Sequence, residues 1–452
     1  MKQNTAIIII LSVFLSGCDL APDYFTPEMP VVENWKNQSQ ANDAERLPDA
    51  KWWQQFGSEE LSSLIAKATT QNNDLLAAAA RIDQARALTK IAAAPLLPSL
   101  FADSSASRDF SNKPKKAVSS YRAGADLSYE LDIFGRLRDA ANSADQSLIA
   151  TSYDRDAIRL SISAQVAQGY FNLLALNERV ENAENNLKNA YEILEIIGSR
   201  FNAGALSQLE LSQQKTLVAS EESSLANLKQ QREVAQNLLA VLLGETPESF
   251  AVKDNKLGAM KPPEVAQVLP KEILSHRPDI ASLEAELRAA NFDIGAARAA
   301  FLPSFDLSAG AALAANPASA AASSLFALAA SISMPLFTGG ELEGRLENAT
   351  ARQQELAANY RNAALTAYGE VENALFNVEN TKAQLASLTV AAQEAKKAAD
   401  IASLKFKVGA IDFESLLNTQ NSLLQTEDSL AQSKANRLSA SVELFRALGG
   451  GF

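Results

Sequence analysis

One short segment occurs twice in the chain, and the two copies constrain every fold that the sequence can adopt. The copies read RFNAG over Arg200–Gly204 and KFKVG over Lys405–Gly409, 205 residues apart. In each copy a base and an aromatic residue, Phe201 or Phe406, precede the glycine. Glycine readily adopts the left-handed conformation that ends a helix, and a base in the last turn favours the negative end of the helix dipole. Both segments are therefore predicted to be turns of helical hairpins.

The same offset of 205 residues relates other parts of the chain, which indicates a tandem duplication. Corresponding segments are Asn73–Leu75 and Pro278–Ile280, Leu97–Ser99 and Leu302–Ser304, and Leu243–Gly244 and Leu448–Gly449. We predict a first repeat over 58–244 and a second over 271–449, each with a helix, a strand hairpin and a helical hairpin. A Pro-rich segment, 245–270, links the repeats, and the tail, Gly449 with 450–452, is expected to fray.

The composition is typical of long helices packed through small side chains, because 47% of the residues are hydrophobic while only 7% are aromatic. A net charge of −12 argues against nucleic acid as a partner. The single histidine, His276, and the single cysteine, Cys18, cannot assemble a nucleophile–base pair or a histidine-rich metal site. No glycine-rich phosphate-binding loop is visible. We therefore predict that the chain is not an enzyme and that it holds neither a cofactor nor a metal.

The N-terminus has the pattern of a bacterial secretory leader over residues 1–17. Lys2 is followed by an apolar run from Ala6 to Leu15, which is too short to span a membrane. The sequence from Leu15 to Cys18 resembles a lipobox, in which the cysteine becomes the lipidated first residue of the mature protein. Cys18 is therefore expected to carry lipid (palmitate). The alternative is an ordinary signal peptide that happens to contain a cysteine.

Residues 18–57 are Pro-rich, polar and without periodicity. We expect an extended strap that begins at the lipid anchor, lies on the protein surface and is held by Trp35, Trp52 and Trp53. One helix is expected to begin near Ser58, a suitable N-cap, and to run to about Ala94, where Pro95 and Pro98 end it.

Two stretches, about 99–131 and about 304–334, show the alternation of period two that is typical of β-strands. The alternating residues are Tyr121, Ala123, Ala125, Leu127, Tyr129 and Leu131 in the first stretch, and Phe305, Leu307, Ala309, Ala311, Leu313, Phe326, Leu328, Ala330, Ile332 and Met334 in the second. A charged tip at Asn112–Lys116 and a turn at Asn316-Pro317 divide each stretch into two strands. Strands of about ten residues suit a tilted membrane crossing, so each chain is predicted to carry four transmembrane strands.

The alternative for the second stretch is a transmembrane helix over the Ala-rich residues 318–337. The corresponding part of the first repeat contains Arg108, Asp109, Lys113, Lys115, Lys116 and Arg122. A helix that faces lipid would not tolerate that many charges, and the two repeats should share one structure. The duplication therefore favours strands.

Long segments after each strand hairpin repeat their apolar residues at steps of four and three, which is the heptad pattern of coiled, packed helices. These residues are Leu176, Val180, Ala183, Leu187, Ala190, Leu194, Ile197 and Phe201 in the first repeat, and Leu356, Tyr360, Ala363, Ala367, Val371, Ala374 and Val378 in the second. A helix from about Ala140 to Ser199 would be about 90 Å long. Such a helix needs neighbouring helices to cover its apolar face.

Four strands are too few to close a transmembrane barrel, and an open sheet edge in lipid leaves backbone groups unpaired at a cost of several kcal/mol each. Several copies of the chain must therefore share one barrel. Eight strands would fill its interior with side chains, whereas twelve or more would leave a lumen. The sequence therefore predicts an oligomeric conduit of the α+β class.

A set of motifs is spread over the mature chain. It comprises the lipobox, Cys18–Pro27, Arg277–Ile280, Leu302–Ser304 and the turns at Arg200–Gly204 and Lys405–Gly409. Together these motifs resemble the TolC-like outer membrane factor family. The resemblance is strongest to its lipoprotein branch, the outer membrane components of resistance–nodulation–division (RND) efflux systems.

The resemblance implies a membrane protein built mostly of long α-helices, and a homotrimer in which each chain adds four strands to a shared twelve-stranded β-barrel in the outer membrane. The helices would form an α-helical barrel in the periplasm. The implied partners are a periplasmic adaptor and, through it, an inner-membrane RND pump, and the implied function is a passive exit duct for drugs or other small molecules. Two alternatives stay open: the exit channel of a type I secretion or ABC- or MFS-driven export system, and a periplasmic coiled-coil scaffold without a pore.

In the family the periplasmic gate lies just after the second turn, where acidic residues surround a narrow lumen. The resemblance assigns this role to Asp412, Glu414 and Asn418, although many relatives have aspartate where Asn418 stands. In the first repeat Glu210 corresponds to Ser415. Asp412 is equally interpretable as an N-cap of the following helix.

The turns themselves are implied to contact the adaptor. The residues concerned are Arg200, Phe201, Gly204, Lys405, Phe406 and Gly409. The two bases could also serve only as charges at helix C-termini, and we expect both roles together.

Overall fold

The computed structural model describes residues 20–29, 32, 34–36, 50–112, 115–252, 256–263, 270–316 and 321–451. Cys18, the leader, much of the strap and the predicted tips at Lys113-Pro114 and Pro317 lie outside these residues. The chain divides into two compact units. The sheet unit comprises Met1–Met29, Ala79–Asp154 and Asp279–Ala363, and the hairpin unit comprises Pro30–Ala78, Arg155–Pro278 and Ala364–Phe452.

The main helices and strands recur at the interval that the sequence repeat predicts. In chain order they are α1 Glu59–Gln71, α2 Asn73–Ala93, β1 Ser99–Asn112, β2 Lys115–Glu130, α3 Arg136–Asn202, α4 Gln208–Leu242, α5 Pro278–Ala299, β3 Ser304–Asn316, β4 Ala321–Ser333, α6 Glu341–Lys407 and α7 Phe413–Ala447. Helices α3 and α6 are each 67 residues long, and α4 and α7 are each 35 residues long. Each member of a pair begins and ends 205 residues from its partner. The predicted tandem duplication is confirmed.

The sheet unit contains one antiparallel sheet of four strands in the order β1-β2-β3-β4. Leu127 of β2 lies opposite Leu100 of β1 and Ala309 of β3, and Ala309 lies opposite Leu328 of β4. Because directly opposed residues share a face, the register places the predicted alternating series of β2, β3 and β4 on one face of the sheet. Strands, and not a helix over 318–337, are therefore what these residues form.

The other face of the sheet is polar. It carries Asp103 and Ser105 of β1, Arg122, Asp126 and Glu130 of β2, Asp306 and Ser308 of β3, and Ser323, Ser331 and Ser333 of β4. Its apolar exceptions include Phe101, Leu325, Ala312, Ala314, Ala327 and Ala329. Side chains on the apolar face are strongly exposed, for example Phe326 at 83% and Leu328 at 88%. The sheet therefore has one mainly hydrophobic face, on which Arg108 is a charged exception, and one mainly hydrophilic face, and the described residues leave both exposed.

In the hairpin unit the heptad residues point into the packed interior, as predicted. Val180 and Ala190 of α3 and Val371 of α6 are at most 4% exposed. At the end of α7, Phe445 stacks on Trp52, with ring centroids 5.3 Å apart. Trp35 is also buried, and Trp53 is partly buried and packs against the core cluster that contains Trp52.

The helix predicted to run from Ser58 to Ala94 is interrupted, and that prediction was wrong. Ser58 does cap the start of α1, since its hydroxyl accepts a hydrogen bond from the Leu61 amide at 3.1 Å. At Asn72, however, the backbone leaves the helical conformation and is extended, with ψ 129°. The Asn72 side chain begins α2 by accepting from the amides of Asp74 and Leu75 at 2.9 and 3.2 Å. Asparagine competes with helical hydrogen bonds through such local contacts, which is why it breaks the pattern.

The expectation that the tail frays was also wrong for the described residues. Gly449 and Gly450 are buried. A Cβ atom at Gly449, where φ is +89°, would collide with the carbonyl oxygen of His276. The first repeat has the same close approach, because a Cβ at Gly244, φ +71°, would collide with the carbonyl oxygen of Gln71. Only glycine permits this contact, and it holds the chain end in place.

The segment 245–270 contains two short 3₁₀ turns, Pro247–Ser249 and Leu257–Ala259, with residues 253–255 and 264–269 outside the description. Phe250 and Leu257 are buried against the hairpin unit. None of the helices in the described ranges is both long and apolar enough to cross a membrane.

Candidate functional site

The two hairpin turns have the same backbone structure. Gly204 and Gly409 have φ of +73° and +77°, and nothing lies within 4 Å of a Cβ built on either. The amide of Ala205 donates to the carbonyl of Arg200, and that of Ala410 to the carbonyl of Lys405, both at 2.8 Å. The glycines are therefore required for the left-handed conformation alone and not for space.

Below the turns, residues of α3, α4, α6 and α7 form one apolar cluster, which we call the tip cluster. It contains Ile193, Ile197, Leu211, Ala402, Phe406, Phe413 and Leu416. Phe406 is only 1% exposed. Its counterpart Phe201 is partly buried and packs against the edge of the cluster. The cluster joins the ends of the two helical hairpins of the chain.

Arg200 connects the first hairpin to the second. Its guanidinium donates to the carbonyl oxygens of Phe406 and Lys407 at 3.0 and 2.9 Å. The Cζ atom of Arg200 also lies 4.8 Å from the centroid of the Phe406 ring. Arg200 was predicted to be a charge at a helix C-terminus, but the terminus that it caps belongs to α6 and not to its own helix. We call this contact the Arg200 joint.

The start of each return helix is capped by a side chain. Ser207 and Glu210 form a capping box on α4, in which the Ser207 amide donates to Glu210 at 2.9 Å. On α7 the Asp412 carboxylate accepts from the Ser415 amide at 2.7 Å. These hydrogen bonds favour the ionised forms, so the pKa of Glu210 is lowered by Ser207 and the pKa of Asp412 by the Ser415 amide. The N-cap interpretation of Asp412 describes its geometry.

The other residues assigned to the gate lie on the surface of α7. Glu414 is in its first turn and Asn418 in its second, and both are exposed. Within the described part of the chain, Glu210 and Asp412 each hydrogen-bond to the start of their own helix, and no hydrogen bond or ion pair joins them to Glu414 or Asn418. A gate role for these residues stays a prediction.

Polar contacts between α3 and α7 continue away from the turns, and sequence reasoning missed them. Arg179 donates to Asp428 at 2.5 Å, and Lys434 donates to Glu178 at 2.5 Å. The residues concerned are far apart in the sequence, so only the packing of α3 against α7 reveals the pairs. They fix the register between the two helices.

A cleft of about 140 Å³ lies near the tip cluster in the hairpin unit, and Glu221, Asp400 and Lys407 are among its lining residues. Burial raises the pKa of the Glu221 carboxyl. Among the described residues, no group of three or more histidine, cysteine or acidic side chains is arranged to hold a metal.

In the sheet unit the N-terminal strap lies along α5, another feature that sequence reasoning missed in detail. Asn291 donates to the carbonyl of Pro22 at 2.6 Å, and the Arg288 guanidinium lies 5.1 Å from the centroid of the Tyr24 ring. Glycine at 295 gives the strap room, because a Cβ there would lie 2.9 Å from Ala21. The strap is thus held a few residues after Cys18.

The chain matches the family model described as outer membrane efflux protein twice, over residues 64–245 and 269–450. It is 36% identical over 468 residues to the pyoverdine export outer membrane protein OpmQ of Pseudomonas aeruginosa, covering 100% of this chain and 98% of the relative. It is 31% identical over 459 residues to the cation efflux system protein CusC of Escherichia coli K12, covering 98% of each chain.

Solved structures give the same result. The Campylobacter jejuni CmeC outer membrane channel superposes with a TM-score of 0.89 at 26% identity, covering 96% of this chain and 95% of that one. The Neisseria gonorrhoeae MtrE outer membrane channel, in its open state, superposes with a TM-score of 0.84 at 28% identity, covering 96% and 98%. The chain therefore belongs to the outer membrane efflux protein family and is an outer membrane component of an efflux system.

Proposed function

We propose that the protein is a passive exit duct for small molecules. An inner-membrane RND pump supplies the energy and reaches the duct through a periplasmic adaptor. The observation that supports the duct is the two-faced sheet, whose register separates an apolar face from a face with acidic residues and serines. Transmembrane strands that enclose water have this alternation, apolar toward lipid and polar toward the lumen.

The edges of the same sheet support the proposed homotrimer. Within the described strands, β1 and β4 pair on one side only. In lipid these edges would leave backbone donors and acceptors unpaired, so strands of neighbouring copies must complete them. Three copies give a twelve-stranded barrel that is wide enough for a lumen. Lipid on Cys18 would add a second attachment to the outer membrane.

In this proposal the hairpin turns have two tasks, adaptor docking and gating. Arg200, Phe201, Gly204, Lys405, Phe406 and Gly409 belong to the turns, and Asp412, Glu414, Asn418 and Glu210 follow them. The adaptor would bind better to hairpins that have moved apart, so that its docking shifts the population from closed to open ducts. The protein itself catalyses no reaction.

Deletion of the gene tests the function in the cell. We expect greater sensitivity to small toxic molecules, or lower release of a small exported product, with unchanged secretion of proteins. Pyoverdine and cations belong in the panel because relatives are named for them. Loss of protein secretion with unchanged small-molecule efflux would instead support the type I secretion alternative.

Planar bilayers test the duct directly. The purified protein should conduct ions, and the conductance should rise in the variant that carries Arg200→Ala and Asp412→Ala, because both changes loosen the turns. If even this variant showed no conductance, the proposed duct would be wrong.

A further inference from the structure

The duplication predicts two equivalent contacts at the tip, one from each repeat, and within the described residues of the single chain only the one at Arg200 is made. In one chain, Arg200 reaches from the first hairpin to the end of the second and covers Phe406, which is 1% exposed. The offset of 205 residues makes Lys405 the counterpart of Arg200 and Phe201 the counterpart of Phe406. The counterparts of the two carbonyls that Arg200 binds are those of Phe201 and Asn202.

The second set of groups is present in the chain, but it is not assembled. The Lys405 side chain is exposed and makes no hydrogen bond or ion pair within the part of the chain that the structure describes. Phe201 is only partly buried. The two turns nevertheless have the same pattern of backbone hydrogen bonds. The carbonyl groups at the end of α3 are therefore arranged like those at the end of α6. An uncovered cation and an uncovered helix end therefore lie on the same tip.

We infer that Lys405 binds the carbonyl oxygens of Phe201 and Asn202 in a second copy of the chain, and that it repeats between copies the joint that Arg200 makes within one. This inference rests on the proposed homotrimer. Six hairpins would then alternate around the tip, joined by three arginines within chains and by three lysines between chains. We call the new contact the Lys405 joint.

The two joints differ in strength, which gives the ring a defined place to open. One guanidinium nitrogen of Arg200, Nη2, donates to both carbonyls, and the planar group lies against an aromatic ring. The lysine ammonium is a compact, strongly hydrated charge on a flexible stem and lacks the planar, pre-organised group that lies against the ring. The Lys405 joints are therefore the weaker ones, and the hairpins separate between copies before they separate within a copy. An adaptor that enters these junctions would open the duct.

Cross-linking tests the contact. Lys405→Cys is combined with Asn202→Cys. A short bis-maleimide then bridges the two cysteines over the distance that the lysine side chain would have spanned. We expect denaturing gels to show dimers and trimers. The matched pair, Arg200→Cys with Lys407→Cys, should link only within the chain and leave the mass of a monomer. Each single variant is the control for reaction at the other sites.

Native mass measurement on the same samples separates the two proposals. Trimers without a cross-link between 405 and 202 would overturn the Lys405 joint and leave the proposed duct standing. Absence of trimers would overturn the homotrimer itself. Cross-linked trimers from the first pair and linked monomers from the second support the inference.

Bilayer recordings test the consequence. Lys405→Ala should raise the open probability about tenfold, because it removes charge-assisted hydrogen bonds. Lys405→Arg should lower it below that of the unchanged protein, since arginine supplies the planar guanidinium with which Arg200 makes its own joint. Lys396→Ala removes a charge from an exposed position of the same helix and should change nothing. If Lys405→Arg opened the duct as Lys405→Ala does, or if neither had an effect, the inference would be wrong.

Discussion

Asn72 shows how one side chain can decide where helices end. Its oxygen begins α2, and its nitrogen donates to the carbonyl of Leu242 at 2.9 Å. In the second repeat Arg277 has the corresponding position and donates to the carbonyl of Ala447 at 3.3 Å. The apolar pattern of the sequence runs through Asn72 without a sign of the break, because the contact with Leu242 depends on tertiary packing.

Replacement of Asn72 should separate the two tasks of this side chain. Asn72→Ala removes the cap and leaves the partly buried Leu242 carbonyl without its donor, so we expect the free energy of unfolding to fall by about 1–3 kcal/mol. Asn72→Asp keeps the cap but loses the donor and should have a smaller effect. Thermal unfolding followed by circular dichroism measures both. Equal loss in the two variants would contradict a role for the cap.

The glycines that follow α4 and α7 should be more sensitive to substitution than a glycine with free space around it. Gly244→Ala introduces a Cβ that collides with the Gln71 backbone, in addition to the strain of a positive φ. Gly57→Ala has the same strain at φ +72° but nothing within 4 Å of its Cβ, so it is the matched control. We expect a loss of about 1 kcal/mol for Gly57→Ala and a larger loss for Gly244→Ala, measured as the unfolding temperature. Similar losses in the two variants would show that the close contact between Gly244 and the Gln71 backbone does not contribute to stability.

Glu221 gives a pH dependence with a defined sign. Burial raises the pKa of its carboxyl in the folded protein, so the ionised form destabilises the fold at neutral pH. This destabilisation is fully present above the raised pKa and is relieved as the pH falls through it. Glu221→Gln should therefore raise the unfolding temperature at pH 7 and lose this advantage at acidic pH. Glu195→Gln, at an exposed position of α3, is the control and should show neither effect.

At the scale of elements, most of the fold could be predicted from the sequence. The repeat at 205 residues predicted that α3 corresponds to α6 and α4 to α7 in the two halves of the chain. The alternation that includes Leu127, Leu307 and Leu328 predicted one face of the sheet. These signals are local or periodic. The Arg200 joint could not be predicted, because a base in a last turn indicates a helix end without saying which helix it caps.

The strands also allow a direct test of the proposed lipid face. Leu328 and Ala327 are neighbours on β4 and point to opposite faces of the sheet. Leu328→Lys should destabilise the membrane-inserted protein by about 2–4 kcal/mol if it lies near the middle of the bilayer. Ala327→Lys faces the proposed lumen and should be tolerated. The yield of folded protein in lipid vesicles measures both, and the reverse order would mean that the faces are assigned wrongly.

At the scale of the whole molecule, the single chain is incomplete in two places that its own duplication identifies. The sheet has paired strands inside and an unpaired edge at β1 and at β4. The tip has one assembled joint at Arg200, and the inferred second joint would use Lys405, which is exposed in the single chain. Neighbouring copies would complete both places at once, which is why we regard assembly as part of the fold and not as a later addition.

The number of chains in the membrane-extracted protein tests this account most directly. The full-length protein is extracted from membranes in mild detergent, and its mass is measured by native mass spectrometry. We predict a complex of three chains that persists on dilution, because separated copies would expose the sheet edges. A monomer that retains its sheet signal under the same conditions would contradict the account.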